Sequence, residues 1–133
     1  MRQGSPKKQT PGFQREWVPL SSSGVLMEDI TAQPLVDAPS SNSLSGTIYL
    51  WGLCFATGQE DVCGGTIKDD DGNIITSVLA TSNGPFFLGL DTPIRLTQNS
   101  RLMYHKIVHK AQTYCTPLYT VLHTKGEVEG GGY

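Results

Sequence analysis

From Gly46 onward, apolar and polar residues alternate in short runs separated by turn residues, which is the pattern of β-strands. The most apolar run, residues 47–56, is rich in β-branched and aromatic side chains and contains Gly52. This composition predicts a buried central strand rather than a helical turn. Alternation along that strand would place four large side chains on one face: Tyr49, Trp51, Leu53 and Phe55.

The clearest local signal is Asp71-Gly72, which lies between two β-prone runs at residues 62–68 and 73–81. This dipeptide is typical of a tight type I′ turn, because that turn requires positive φ at both central residues. The sequence therefore predicts a β-hairpin. The core candidates on its two strands are Ile67, Ile75, Val78 and Leu79.

Further strands follow the hairpin. Residues 86–90 form one after a turn, and Pro93 places residues 94–96 at an edge or a new entry point, because proline cannot donate to a central ladder. Residues 101–111 fit a strand better than a helix, and residues 114–124 form the last strand. About seven short strands predict an all-β domain over residues 46–125, an antiparallel β-sandwich or jelly-roll, followed by a flexible tail at 126–133.

Residues 1–45 have a different character. Prolines and serine-rich stretches interrupt regular elements, yet the segment contains two apolar clusters that need burial. We therefore expect an extended N-terminal arm that is partly ordered by partners. For residues 25–36, an edge strand of the chain's own domain is an equally good interpretation. The side chains expected to bind a partner are Phe13, Trp17, Val18, Leu20, Leu26 and Ile30.

Charge and cysteine content narrow the range of partners. A net charge of −2 gives the 133-residue chain no general attraction to nucleic acid, and no apolar run approaches the roughly 18 residues that span a bilayer. An odd count of three cysteines favours free thiols, as in a protein made in a reducing cytoplasm, over a Cys54–Cys63 disulfide or a metal site. The basic residues near the N-terminus are dispersed, which is more typical of a solvated tail than of a nucleic-acid site: Arg2, Lys7, Lys8 and Arg15.

The residues that could carry chemistry do not form a recognised catalytic motif. The acidic run at 69–71 lacks the alternating spacing and the closing Glu of a calcium loop, so turn formation explains it better. His105 and His109 would lie about 13 Å apart along a strand, which is too far to share one zinc ion. A small metal-dependent jelly-roll enzyme using these residues and His123 is therefore the least favoured hypothesis. We predict no catalytic, cofactor-binding or metal-binding residues.

Several segments together resemble the small β-sandwich structural proteins encoded in tailed-bacteriophage virion gene clusters. The resemblance covers roughly residues 46–122 and consists mainly of turn glycines and apolar alternation. It implies a domain that decorates or cements a capsid, or that sits at a head–tail or tail joint, and it brings no active-site residues. The segments that carry it are Gly46-Thr-Ile-Tyr, Gly65-Thr-Ile-Lys-Asp-Asp-Asp-Gly-Asn-Ile-Ile, Gly84-Pro-Phe-Phe-Leu-Gly-Leu-Asp-Thr-Pro-Ile-Arg-Leu and Leu102-Met-Tyr.

The resulting hypothesis is a non-enzymatic virion structural protein that forms a homo-oligomer and contacts the major capsid protein or other virion proteins. Its location would be the virion, after synthesis in the host cytoplasm, without contact to a membrane. The alternative is a carbohydrate-binding β-sandwich module, since several aromatic side chains suit stacking on sugars. Those aromatic residues are Trp17, Trp51, Tyr104, Tyr114 and Tyr119.

Overall fold

The computed structural model describes residues 18–41, 43–58, 62–81 and 84–125. Within these ranges the chain is all-β and contains no helix, and so none that could cross a membrane. The strands of the described ranges are β1 (Leu20–Ser21), β2 (Val25–Leu26), β3 (Ala32–Val36), β4 (Leu44–Thr57), β5 (Cys63–Lys68), β6 (Ile74–Ala80), β7 (Phe86–Arg95), β8 (Leu102–Val108) and β9 (Thr113–Lys125).

The strands form two antiparallel sheets packed together as a β-sandwich, which confirms the predicted fold class. The first sheet has the order β1-β9-β4-β7, with β2 also paired to β9. The second sheet has the order β3-β8-β5-β6. The chain passes repeatedly from one sheet to the other, so each sheet is assembled from segments that are distant in sequence.

The core lies between the two sheets and is built by both. Phe55 of β4 stacks on Tyr104 of β8 with ring centroids 5.5 Å apart, and neither side chain is more than 2 % exposed. The predicted core residues Ile67 and Val78 are confirmed, whereas Leu79 is 60 % exposed because it lies on the outer side of β6. Other fully buried residues are Ile48, Leu50, Leu102 and Cys115.

A β-bulge in β4 corrects the predicted face of that strand. The register of β4 against β9 skips Trp51, which is therefore an extra residue. The bulge shifts the alternation by one position, so Leu50 and Leu53 both face the core. Tyr49 and Trp51 lie on the outer surface instead of sharing a face with Leu53 and Phe55.

The predicted hairpin joins β5 to β6, but its turn is not the predicted two-residue type I′ turn. Strand pairing ends at Lys68 and Ile74, which leaves a five-residue loop. The N–H of Gly72 donates to the carbonyl of Asp69 at 3.1 Å, and in this loop positive φ is found at Gly72 (86°) but not at Asp71. A longer turn with a single left-handed glycine therefore replaces the tight one.

Residues 20–36, which we assigned to an N-terminal arm, form strands of the domain itself. Strands β1 and β2 pair with β9, and β3 pairs with β8. Met27 and Leu35 are 2 % and 6 % exposed and join the core. Burying such a side chain contributes roughly 1.5–3 kcal/mol, which favours docking on the chain's own sheets. The edge-strand interpretation of residues 25–36 therefore holds.

The link between β2 and β3 is held by a buried glutamine. The side-chain amide of Gln33 donates to the carbonyl of Leu26 at 2.8 Å, and its oxygen accepts from the N–H of Glu28 at 2.9 Å. The described domain thus begins near Leu20 rather than at Gly46. Residues 1–17 and the predicted tail at 126–133 lie outside the described residues.

The remaining strand predictions are close to the observed bounds. Residues 101–111 contain a strand, β8, and not a helix. Residues 94 and 95 continue β7 and do not begin a new strand, although Pro93 does lie in an edge strand as predicted.

Candidate interaction surface

One outer surface of the first sheet carries large apolar side chains. The register places Leu26 of β2 beside Tyr114 of β9, and Phe87 of β7 beside Cys54 of β4. Cys54 also lies opposite Thr116 in β9, so Tyr114 and Leu118, two residues to either side of Thr116, point to the same surface. We call the surface formed by Leu26, Cys54, Phe87, Tyr114 and Leu118 the apolar face.

The apolar face is open to solvent. Phe87 is 71 % exposed, Leu26 and Tyr114 are 48 % exposed, and Leu118 is 37 % exposed. The positions between them on the same side are small or uncharged in the sequence: Ser21, Gly52, Ala56, Gly89 and Thr116. Contiguous exposed apolar patches of this kind mark interaction sites, whereas apolar residues that are scattered singly over a surface need no explanation.

The exposure follows from strands that are apolar on both sides. In β7, Phe86 and Leu88 pack against the core, and Phe87 between them points outward. A strand that contributes to one core needs apolar residues on one face alone. The second apolar face of β7 and β9 is therefore in excess of what folding of the sandwich requires.

Trp51 extends the apolar face at one end. Its indole N–H donates to the hydroxyl of Thr120 at 2.9 Å, and Thr120 is 5 % exposed. Beyond Trp51, the exposed Arg95 lies opposite Tyr49, and the exposed Asp91 lies between Gly89 and Arg95 in β7. The bulge in β4 thus places an aromatic ring at the border between the apolar and the charged part of the sheet.

The predicted partner-binding residues are brought together only in part. Leu26 belongs to the apolar face, while Leu20 lies at the outer edge of the first sheet, opposite Tyr119. Val18 precedes β1, and Ile30 lies in the link between β2 and β3; both are exposed, at 61 % and 43 %. The remaining two predicted residues, Phe13 and Trp17, lie outside the described residues.

No protein-family model matches the chain. Neither a curated protein nor a solved structure matches it.

The acidic run of the hairpin is engaged in local contacts. Asp69 is 4 % exposed and accepts hydrogen bonds from the N–H groups of Asp71 and Asn73 at 2.9 Å, from the Asn73 amide at 2.8 Å and from the Thr97 hydroxyl at 3.0 Å. Burial opposes ionisation of Asp69, but these hydrogen bonds outweigh it and lower the pKa of its carboxyl group. The carboxylate ties the hairpin to the segment that follows β7.

Asp70 forms an ion pair with the next turn of the chain. Its carboxylate accepts from the guanidinium of Arg101, with 2.8 Å between Nη2 and Oδ1, and from the Arg101 backbone N–H at 2.8 Å. The hydrogen bond from the Arg101 side chain is the main cause that lowers the pKa of Asp70. Two of the three acids thus hold the hairpin in place, which fits the turn interpretation.

The histidines considered for a metal site lie on different sheets. His105 belongs to β8 in the second sheet, and His123 belongs to β9 in the first sheet. Among the residues that the structure describes, no group of three His, Cys, Asp or Glu side chains could hold a metal ion. His105 and His123 therefore do not lie on neighbouring strands of one sheet, because the chain changes sheets between β8 and β9.

The three cysteines are unpaired in the structure. Cys63 and Cys115 are buried, and Cys54 is half-buried on the apolar face. Burial raises the pKa of the Cys115 thiol to about 12, and it also raises the pKa of Tyr104. Of the aromatic residues considered for sugar stacking, Tyr104 is therefore a core residue and Tyr114 is exposed.

The sequence-based choice of partner residues missed Phe87, Tyr114 and Leu118. Their signal was present: Phe86-Phe87-Leu88 is apolar at three consecutive positions, which a strand with one solvated face does not need. The prediction assigned residues 86–90 to a strand and did not say which of its faces are buried, because the number of faces that a strand buries depends on its position in the assembled sandwich.

Proposed function

We propose that this chain is a non-enzymatic structural protein of a tailed-phage virion, which assembles with copies of itself through the apolar face. The observation that carries this proposal is the combination of high exposure and absent charge along the apolar face. Depletion of charge with enrichment of aromatic residues is the composition of interface cores. The resemblance of residues 46–122 to virion β-sandwich proteins supports the setting, in which the major capsid protein or another virion protein is the further partner.

A second copy is the simplest occupant of this surface. Phe87 and Tyr114 are rigid aromatic side chains of the kind that anchor interfaces, and Leu118 lies on the same side. A two-fold contact would use the same patch on both copies and need about 800 Å² on each. The segment before Leu20 supplies a second contact to a partner, since the apolar side chain of Val18 is exposed there.

The proposal is tested by the mass of the purified full-length protein in solution. We expect an oligomer by light scattering coupled to gel filtration, and dissociation on Phe87→Lys or Leu118→Lys, because each buries a charge in the apolar interface. The matched control is Val62→Lys, at a residue that is 40 % exposed, precedes β5 and lies outside the apolar face. A monomeric wild type at all concentrations, or equal dissociation by the control, would contradict self-assembly.

The virion setting needs a separate measurement. Mass spectrometry of purified particles should find the chain as a stoichiometric component, and electron microscopy with a labelled chain should place it on the particle. A chain that remains in the host lysate would contradict the virion setting without affecting the self-assembly result.

Deletion of residues 1–17 tests the remaining part of the predicted arm. We expect a folded domain, because the truncation leaves β1 and β2 on β9 intact, together with weaker assembly. A longer deletion to residue 24 is unsuitable because it removes β1. Unchanged assembly after the shorter deletion would count against a role for the N-terminal segment.

A glycan-binding role predicts a different result. Binding on a glycan array that is lost on Tyr114→Ala, with unchanged oligomer mass, would favour the carbohydrate-binding alternative. Tyr104 takes no part in that test because it is buried.

A further inference from the structure

Edge strands of the two sheets differ in their protection against pairing with another chain. Strands β1 and β2 have two residues each, and β3 contains Pro34. Strand β7 carries Asp91, Pro93 and Arg95. The sequence of β6, Ile74–Ala80, has no charge, no proline and no glycine, and no described strand pairs with its outer edge. It therefore lacks the features by which edges are normally blunted.

An apolar groove of about 290 Å³ opens beside β6. Gly64 contributes its backbone to the groove, and a side chain there would collide with the carbonyl of Val78, since an added Cβ would lie 2.4 Å from that oxygen. Ser77 and Leu79 of β6 line the groove, with Ile107 of β8 as a further apolar lining residue. The groove therefore begins at the same edge that is open for pairing.

We propose that β6 pairs antiparallel with β6 of a second copy, across a two-fold axis at Val78. The bulge between β5 and β6 falls at Ile75, which the register skips. Pairing from Thr76 to Ala80 is regular, and the midpoint of that run is Val78. Bulges interrupt ladders, so the regular run sets the register of the new pair. The second sheets of the two copies then form one continuous eight-stranded sheet.

The self-complementarity of β6 identifies a second copy as the occupant. With the axis at Val78, Leu79 of each copy lies opposite Ser77 of the other on the outer side. A large side chain thus faces a small one, and Leu79, which is 60 % exposed, gains cover at the groove. No like charges meet, because β6 has none. Strand addition of this kind takes its affinity from main-chain hydrogen bonds and its specificity from the alternate side chains.

Disulfide trapping between two variants tests this register. Ser77→Cys and Leu79→Cys are made separately in a full-length Cys54→Ser background, mixed to allow exchange of subunits and oxidised mildly. Opposite residues of an antiparallel pair have Cα atoms about 4.5–5.5 Å apart, which suits a disulfide, whereas the diagonal pairs formed by one variant alone are about 7–8 Å apart. We expect a covalent dimer in the mixture and little in either variant alone.

The control variant is Thr66→Cys, which lies on β5 and points to the same side of the sheet as Ser77. Mixed with Leu79→Cys, it should not form a dimer above the background of the Cys54→Ser protein. A mixture of the Ser77 and Leu79 variants that yields no more dimer than each alone would overturn the proposal.

The β6 contact goes beyond the apolar face and is separable from it. We expect the disulfide dimer to persist when Phe87→Lys is added to both variants, because Phe87 lies on the other sheet. If Phe87→Lys dissociates the oligomer and also abolishes disulfide trapping, the β6 contact is rejected and the apolar face remains as the interface. If trapping persists and Phe87→Lys does not change the oligomer mass, the apolar face is rejected and the β6 contact remains.

Discussion

Replacement of Asp69 by asparagine tests how the hairpin is attached to the domain. The carboxylate has one oxygen, Oδ1, that accepts two backbone N–H groups, and a second, Oδ2, that accepts from the Asn73 amide and the Thr97 hydroxyl. In the Asp69→Asn variant, an NH₂ group takes the place of Oδ2 and faces the NH₂ of Asn73. The Thr97 hydroxyl can turn to accept, but the Asn73 amide loses its 2.8 Å bond to residue 69 and keeps only the longer contact of 3.5 Å to the Thr97 hydroxyl.

The magnitude follows from the bond that is lost. A hydrogen bond to a charged group contributes about 1.5–3 kcal/mol, and removal of the buried charge offsets part of the loss. We therefore expect Asp69→Asn to reduce the free energy of unfolding by about 2 kcal/mol at pH 7. With a urea m-value of about 2 kcal/mol/M, the midpoint of urea unfolding would fall by about 1 M. Circular dichroism provides the measurement.

The pH dependence gives the sharper test. The pKa of Asp69 is lower in the folded chain than its ordinary value of 3.8. Its stabilisation is therefore fully present above the unfolded pKa and is lost as the pH falls below 3.8 through the folded pKa. The difference between wild type and Asp69→Asn should be constant from pH 7 to pH 5 and should narrow toward pH 3.

The matched control is Asp71→Asn, in the same loop, where the side chain is exposed. It should leave the midpoint nearly unchanged. Equal stability of Asp69→Asn and wild type at pH 7, or a difference that persists undiminished at pH 3, would refute the role given to the buried carboxylate.

Two further predictions concern close packing and thiol reactivity. Gly65→Ala should destabilise the fold by about 3 kcal/mol or prevent folding, because the added Cβ would lie 2.3 Å from the carbonyl oxygen of His105; Gly89→Ala, which meets nothing within 4 Å, should be nearly neutral in the same urea titration. In a thiol-reagent titration at pH 8, Cys54 should react in the folded but dissociated Phe87→Lys variant, whereas Cys115, whose pKa burial raises to about 12, should react only after unfolding. Rapid reaction of all three thiols in the native state would contradict the burial of the core cysteines.

The sequence predicted only some of the residues of the apolar face. Leu26 was selected from its apolar cluster, and it does lie on the apolar face beside Tyr114. Phe87 was predicted only as part of the strand at residues 86–90, without a face, since a run of apolar residues looks the same whether one face or both are buried. Its exposure depends on β7 being the last strand of the first sheet, with no layer packed outside it.

What the sequence determined by itself was the local structure. Alternation and β-branched content specify strands, and Gly72 specifies the one left-handed position of the hairpin loop, because these preferences act within a few residues. The tertiary structure decided the rest. The bulge at Trp51 reversed which side of β4 faces the core, and the docking of Met27 placed residues 20–36 on their own domain. Both depend on partners far away in the chain, whose contacts no local pattern records.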